Sequence, residues 1–221
     1  MALLVGGGEV DGPALARFLN SADVRIGVDG GALALEKMGA VPDWVIGDFD
    51  SLGPGDLARL EAKGARIRRY PYDKDETDLE LGLALAAELA ATDAAILGAT
   101  GDRLDHTLTN LGFLLRAAEL GLRAVLHAPG QEISLLGPGR TTFSGYPGRL
   151  LSLVPLAGIA EGVATEGLRY PLQGEDLLPG RSRGVHNEFL GAEAAVSLRK
   201  GSLLAFLFAP DGDNALPGLH V

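Results

Sequence analysis

The stretch VIGDFDS, residues 45–51, places two carboxylates, Asp48 and Asp50, one residue apart directly after an apolar run. A second acidic stretch, DKDETD, occupies residues 73–78. Like charges that are held close together repel, so the crowding requires a cation to offset it. Oxygen-only ligands without a histidine pattern suit Mg²⁺, which favours a few carboxylates together with substrate phosphates. The two stretches therefore predict a magnesium and phosphate site.

Each acidic stretch also has a purely structural explanation. Thr77 and Glu80 have the spacing of a capping box, with Thr77 as the N-cap, and Asp78 then stabilises the helix dipole in the first turn. The two aspartates after residue 47 suit an ordinary turn. A third segment, GATGDRLD, repeats the order of strand, glycine turn and helix start, and carries Arg103 and Asp105. Three such loops at one sheet edge are harder to explain by structure alone.

The common phosphate-binding motifs are missing. The sequence has no G-x-x-x-x-G-K-[ST], and GGGEVD at residues 6–11 does not complete G-x-G-x-x-G. Gly6 to Gly8 either bring backbone N–H groups close to a ligand or form a plain tight turn, and the sequence leaves both open. Lys74 and Arg103 are candidates to meet phosphate charge, whereas Arg66, Arg68 and Arg69 suit a solvated strand face.

The composition narrows the class of protein. A formal charge of −10 over 221 residues argues against a nucleic-acid backbone or an anionic membrane as a partner. The sequence has no cysteine, which excludes disulfides and a thiolate nucleophile. No stretch approaches the roughly 18 apolar residues of a membrane span, and the N-terminus lacks the basic region of a signal peptide. We expect a soluble, cytoplasmic protein.

The chain has two regions that differ in their pattern of apolar and turn-forming residues. Over residues 1–128, short apolar runs alternate with helical patterns, which predicts an α/β domain of right-handed βαβ units on a parallel sheet. The fifth helix shows a stripe of apolar residues that we expect to be buried: Leu104, Leu108, Leu111, Leu115 and Ala118. Over residues 129–221, turn signals separate short apolar runs, which predicts an antiparallel β-sandwich. The last segment, from Asp211, is expected to be loosely held.

The acidic loops belong to a pattern that covers nearly the whole chain. VDGGA at residues 28–32, PDWVIGDFDS at 42–51, DKDETD at 73–78, GATGDRLDH at 98–106, and GLRYPL followed by HNE resemble the thiamine pyrophosphokinase family. The resemblance implies an α/β domain followed by a β-sandwich, and a homodimer with active sites between subunits. It also implies transfer of the β,γ-diphosphate of ATP to the hydroxyl of thiamine, with release of AMP.

The resemblance carries over to particular residues. It implies that Asp48, Asp50 and Asp78 hold Mg²⁺, with Asp78 also near the reacting groups. Around the phosphates and the reacting hydroxyl it places Lys74, Arg103 and Asp105. The remaining binding candidates within the matched motifs are Asp29, Gly30, Ser51, Asp75 and Thr77 on the nucleotide side, and Asn187 on the thiamine side.

Two departures from the family pattern concern thiamine. His186 stands where the family usually has serine, and the only tryptophan is Trp44 rather than a residue near the C-terminus. Phe206 and Phe208 are the nearest aromatic replacements, although the alternation of a strand favours a core position for them.

Two other functions remain open at this point. A phosphohydrolase with an aspartyl nucleophile, of the haloacid dehalogenase type, also carries D-x-D, but normally after its first strand rather than the third. A non-catalytic module that binds a magnesium–nucleotide complex is the second alternative.

Overall fold

The computed structural model describes residues 1–209. The chain divides into two compact units, residues 1–129 and residues 130 onwards, hereafter the α/β unit and the β unit. The expectation for the segment from Asp211 concerns residues outside those described. None of the described helices is long and apolar enough to cross a membrane.

The predicted alternation of strands and helices is confirmed in the α/β unit. Its strands are β1 (Ala2–Val5), β2 (Val24–Val28), β3 (Trp44–Gly47), β4 (Arg66–Arg69), β5 (Asp93–Leu97) and β6 (Arg123–Ala128). Its helices are α1 (Gly12–Leu19), α2 (Gly31–Lys37), α3 (Asp56–Ala62), α4 (Asp78–Glu88) and α5 (Leu104–Glu119).

All strand pairs in this unit are parallel, in the order β4-β3-β2-β1-β5-β6. The chain moves outward from β1 to β4 and then returns to the other side of β1 with β5. The direction of the strand order therefore reverses between β1 and β5. In open α/β sheets such a switch point leaves a crevice outside the carboxyl ends of the strands, where ligands bind. The fold thus points to the loops after β1 and β5.

Local sequence signals fix the helix starts. Asp11 caps α1 by accepting a hydrogen bond from the Ala14 N–H at 2.8 Å, and Pro13 lies in the first turn. Thr77 caps α4 by accepting from the Glu80 N–H at 3.4 Å, so Asp78 opens the first turn as predicted.

The predicted buried stripe of α5 is wrong. The helix buries Phe113, Leu114 and Ala117, whereas Leu104 is 78% exposed and Leu108 is 60% exposed. The sequence of α5 carries apolar residues on two faces, and a spacing of three and four fits either of them. Packing of Phe113 and its neighbours, rather than periodicity, sets which face is buried.

The β unit has two antiparallel sheets, as predicted. One has the order β12-β9-β14-β7 and the other the order β11-β10-β13-β8. The strands are β7 (Gln131–Leu136), β8 (Gly139–Ser144), β9 (Leu150–Val154), β10 (Ala160–Glu166), β11 (Gln173–Leu177), β12 (Asn187–Glu188), β13 (Glu193–Leu198) and β14 (Leu203–Phe208).

A single apolar cluster joins the two sheets of the β unit, with Leu151 and Leu207 from one sheet and Phe143 and Val196 from the other. This is the core of a sandwich. Along β14 the members of the cluster are Leu203, Ala205 and Leu207, so Phe206 and Phe208 lie on the opposite face and are half-buried. The expectation that these two phenylalanines belong to the sandwich core is therefore wrong.

Candidate active site

Three carboxylates converge at the carboxyl edge of the parallel sheet. Asp29 follows β2, Asp48 follows β3, and Asp78 opens α4. One carboxylate oxygen from each lies within 4.8 Å of the others. They meet because β2 and β3 are neighbours in the sheet, so the residues after them lie side by side, and α4 begins at the same edge. We call Asp29, Asp48 and Asp78 the acidic cluster.

The backbone around Asp29 holds its carboxylate in position within the acidic cluster. Asp29 has a φ of +46°, and its N–H donates to the Ile46 carbonyl at 2.9 Å. Its Oδ1 accepts from the Phe49 N–H at 3.2 Å. A Cβ on Gly47 would lie only 1.8 Å from this Oδ1. The glycine at the end of β3 therefore makes room for the side chain of Asp29.

A buried phenylalanine separates the two aspartates after β3. Phe49 has a φ of +70° and packs into the core beside Val45 and Leu60. The Arg69 guanidinium lies 4.7 Å from its ring centroid and donates to the Asp48 carbonyl at 3.1 Å. A non-glycine residue in this conformation is strained, and the packing of the ring holds it there.

The two aspartates consequently have different positions. Asp48 joins the acidic cluster, whereas Asp50 is exposed and stands outside it. The Asp50 N–H donates to Asp48 Oδ1 at 3.0 Å and so orients that carboxylate. The sequence pointed to Asp50 as the third member, and the geometry brings in Asp29 instead. The sequence shows that Asp29 directly follows a strand, but only the structure shows that this strand neighbours β3.

The like charges of the cluster are partly compensated within the protein. Lys74 Nζ lies 3.0 Å from Asp78 Oδ1 and 3.8 Å from Asp48 Oδ2. Burial acts to lower the pKa of Lys74, but its hydrogen bond to Asp78 and the charges of Asp78, Asp48 and Asp29 outweigh it and raise that pKa. Burial, followed by the hydrogen bond and charge of Asp78, raises the pKa of Asp29 to about 7.

The donor set of the cluster fits a magnesium ion. It offers carboxylate oxygens only, close enough to share one ion, at a sheet edge that opens to a cavity. Burial first, and then the neighbouring charges of Asp78 and Asp48, disfavour the ionised form of Asp29, and a divalent cation bound by the cluster would favour that form.

A cavity of about 790 Å³ opens at the switch point between β1 and β5. Its walls are the loop after β1 (residues 6–9), the loop after β5 (residues 98–103) and, from the acidic side, Asp29, Asp50, Ser51, Thr77 and Asp78. The predicted binding residue Gly30 adjoins this wall, since a Cβ on it would lie 3.4 Å from Ser51 Oγ. Asp75 is exposed and is not among the residues that line the cavity.

Arg103 and Asp105 pair with each other at the start of α5. Arg103 donates from Nε to Asp105 Oδ1 at 3.0 Å and from Nη2 to Oδ2 at 2.7 Å. These hydrogen bonds hold the pKa of Asp105 well below its usual range. Arg103 lines the cavity, and Asp105 is not among its lining residues.

Three lining residues of α5 were not predicted: His106, Thr107 and Asn110. Together with Arg103 they follow a spacing of three and four, which places them on one face of the helix. Asn110 Nδ2 donates to the Ala99 carbonyl at 2.7 Å and so ties α5 to the loop after β5. The continuation of GDRLDH along one helical face was the available signal.

Asn187 lies in the β unit and is 3% exposed. Its Oδ1 accepts from the N–H groups of Tyr170 at 2.9 Å and Glu188 at 3.0 Å, and its Nδ2 donates to the Tyr170 carbonyl at 2.7 Å. The preceding residue, His186, is exposed with a φ of +60°. The amide of Asn187 therefore joins the GLRYPL and HNE segments of the sequence.

The fold and the site define a class: a parallel α/β unit with clustered carboxylates at a switch-point cavity, followed in the chain by a β-sandwich. Residues 15–126, about half of the chain, match the family model described as the thiamin pyrophosphokinase catalytic domain. Residues 141–203 match the thiamin pyrophosphokinase vitamin B1 binding domain. The chain belongs to the thiamin pyrophosphokinase family.

Individual relatives agree with this assignment. The chain is 28% identical to the thiamine pyrophosphokinase of Bacillus subtilis over 193 residues, which cover 87% of this chain and 90% of the relative. The crystal structure of thiamine pyrophosphokinase from Bacillus subtilis covers 95% of this chain and all of its own, with a TM-score of 0.83 and 26% identity. The thiamin pyrophosphokinase of Geobacillus thermodenitrificans gives a TM-score of 0.81 at 28% identity, covering 96% and 99% of the two chains.

Proposed function

We propose that this protein transfers the β,γ-diphosphate of Mg-ATP to the hydroxyl of thiamine, which yields thiamine diphosphate and AMP. Membership of the family supports an enzyme that pyrophosphorylates thiamine. The observation that carries the finer proposal is the acidic cluster beside the switch-point cavity, because it joins a cation site to a space of about 790 Å³. A cavity of this size suits a nucleotide.

The metal proposal concerns four residues. Asp29, Asp48 and Asp78 would hold Mg²⁺ by their geometry, and Asp50, which lines the cavity, stays a candidate ligand from the sequence motif. When bound, the ion neutralises negative charge on the phosphates and on the departing AMP.

The protein's own groups orient the substrates. Diphosphoryl transfer asks mainly for positioning and for neutralisation of charge. We assign the neutralisation of phosphate charge to Lys74, which lies beside the acidic cluster, and to Arg103, which lines the cavity. Thr77 caps the start of α4, which we expect to face the phosphates. Asp105 is a weak base because Arg103 keeps it ionised, so its role is to hold the Arg103 guanidinium in place.

We assign the thiamine side to the β unit, with support from the vitamin B1 binding model over residues 141–203. Asn187 would act there by shaping the segments on either side of it, since its amide already binds backbone groups. The same proposal includes a homodimer with ATP and thiamine as small-molecule substrates, which comes from the sequence resemblance, and a cytoplasmic location, which comes from the composition.

The proposal is tested by separating the nucleotides formed from ATP, Mg²⁺ and thiamine. We expect AMP that appears only when thiamine is present. ADP with thiamine monophosphate would indicate attack on the γ-phosphorus instead. Phosphate release without thiamine would indicate the hydrolase, and nucleotide binding with no turnover would indicate the binding module.

A further inference from the structure

The loop after β1 carries three consecutive glycines, and packing explains two of them. A Cβ on Gly6 would lie 2.6 Å from the Gly98 carbonyl oxygen, and one on Gly8 would lie 2.3 Å from the Thr100 carbonyl oxygen. In the same place the Gly8 N–H donates to the Gly98 carbonyl at 2.9 Å. The loops after β1 and β5 therefore approach each other so closely that only glycine fits at positions 6 and 8.

Gly7 has no such explanation. A Cβ on Gly7 would meet no atom of the described chain within 4 Å, and Gly7 is not among the residues with positive φ. The fold therefore has both the space and the backbone conformation for alanine at this position. Gly7 is exposed and lines the cavity, and its Cα lies 3.9 Å from where a Cβ on Gly30 would be.

The backbone N–H groups of this loop also distinguish Gly7 from its neighbours. The N–H groups of Gly6, Gly8 and Glu9 donate to carbonyls at the end of β5 and in the loop after it, at 2.8, 2.9 and 2.8 Å. The Gly7 N–H has no acceptor within residues 1–209. An exposed backbone donor that no described protein group uses, in a residue that lines the cavity, is available to an anionic ligand that lies on the loop.

We propose that Gly7 positions the nucleotide: its bare backbone forms the floor on which the polyphosphate of ATP lies, between the acidic cluster and Arg103. This inference rests on the proposed function and adds to it a residue that the fold itself does not require to be glycine. A methyl group on Gly7 would occupy the ligand's space rather than the protein's. A substitution of Gly7 should therefore weaken nucleotide binding and leave folding unchanged.

The test compares Gly7→Ala and Gly7→Val with Gly12→Ala in the full chain. A Cβ on Gly12 also meets no atom within 4 Å, and Gly12 is not among the residues that line the cavity, so it is a matched control. The probe is a non-hydrolysable ATP analogue with Mg²⁺, titrated by calorimetry without thiamine. Overpacking of this kind should weaken binding about tenfold or more for Gly7→Ala and further for Gly7→Val. Gly12→Ala should stay within about twofold of the wild type.

Thermal unfolding accompanies each titration. We expect both Gly7 variants to keep the wild-type Tm within about 2 °C. Wild-type affinity in Gly7→Ala would overturn this inference but not the proposed function. A fall in Tm of more than about 5 °C would also overturn it, because the fold would then need the glycine. A wild-type protein that binds no magnesium–nucleotide complex would overturn the proposed function together with this inference.

Discussion

At the scale of residues, the site depends on two side chains held in unusual backbone conformations. Asp29 and Phe49 both have positive φ, and both lie where the chain leaves a strand next to the acidic cluster. Such strain persists only where the surroundings enforce it, and here the enforcement is the buried Phe49 ring and the hydrogen bond from its N–H to Asp29. The strain is thus linked directly to the position of a carboxylate.

We predict that Asp29→Asn, Asp48→Asn and Asp78→Asn each lower kcat/KM about a hundredfold while the protein stays folded, because a misplaced metal misaligns the reacting phosphate. Asp73→Asn, at an exposed position of the same acidic stretch, is the control and should change little. Steady-state rates with Mg²⁺ and circular dichroism check this. Near-normal turnover in any of the three would remove that residue from the metal site.

Asp50→Asn separates the set of ligands implied by the motif from the set defined by the geometry. If Asp50 binds the metal, its variant should require more Mg²⁺ for half-maximal activity, as we also expect of the other three variants. An unchanged magnesium dependence would leave the acidic cluster of Asp29, Asp48 and Asp78 as the ligand set.

The pKa of Asp29 predicts a pH dependence of stability. Its ordinary value is 3.8, and in the folded, metal-free protein it is about 7, so the folded state binds more protons in this range. The contribution of Asp29 to the free energy of unfolding should therefore fall as pH rises from about 4 to about 7 and then level off. Denaturant unfolding in a chelating buffer measures this. Asp29→Asn should show a flatter profile, and parallel profiles for the two proteins would contradict the assignment.

At the scale of elements, the end of β3 sets the geometry of the cluster. Gly47→Ala adds a Cβ at a φ of +146° and 1.8 Å from Asp29 Oδ1. Gly64→Ala also adds a Cβ at positive φ, +103°, but into open space. We predict that both lose roughly 1–2 kcal/mol of stability from the backbone and that only Gly47→Ala also loses most activity. Equal activity in the two variants would mean that Asp29 is not positioned by this glycine.

In the β unit, Asn187 is predicted to support the structure around it. Asn187→Ala leaves the Tyr170 N–H and carbonyl without their partner, which should cost about 1–3 kcal/mol in the free energy of unfolding. Denaturant titration of this variant beside His186→Ala, whose side chain is exposed, checks this. Equal stability of the two variants would show that the Asn187 amide is dispensable.

The sequence predicts those features of the structure that residues close together in the chain determine. Strands, helix starts and the Thr77 cap were predictable because neighbouring residues determine them. The membership of Asp29 in the cluster was not, because it depends on β2 pairing with β3. The buried face of α5 was assigned wrongly because two of its faces are apolar, and only packing distinguishes them. The place of Asn187 on the thiamine side stays a prediction, and its backbone partners, Tyr170 and Glu188, are groups that no sequence pattern displays.

At the scale of the whole molecule, the net negative charge affects which substrates can bind without a cation. A chain with a formal charge of −10 and a concentrated acidic cluster repels a polyphosphate unless a cation accompanies it. Binding and turnover of ATP should therefore depend strictly on the divalent metal. The same charge leaves thiamine, a cation, free to approach.

The most direct test follows both transferred phosphorus atoms. ATP labelled at the β- and γ-phosphorus is incubated with Mg²⁺, thiamine and the protein, and the products are separated. We predict that thiamine diphosphate carries both labels in equal amounts, that AMP is unlabelled and forms in the same amount, and that a chelator abolishes all of it. Thiamine monophosphate carrying only the γ label, or label released as free phosphate, would contradict the transfer of an intact diphosphate.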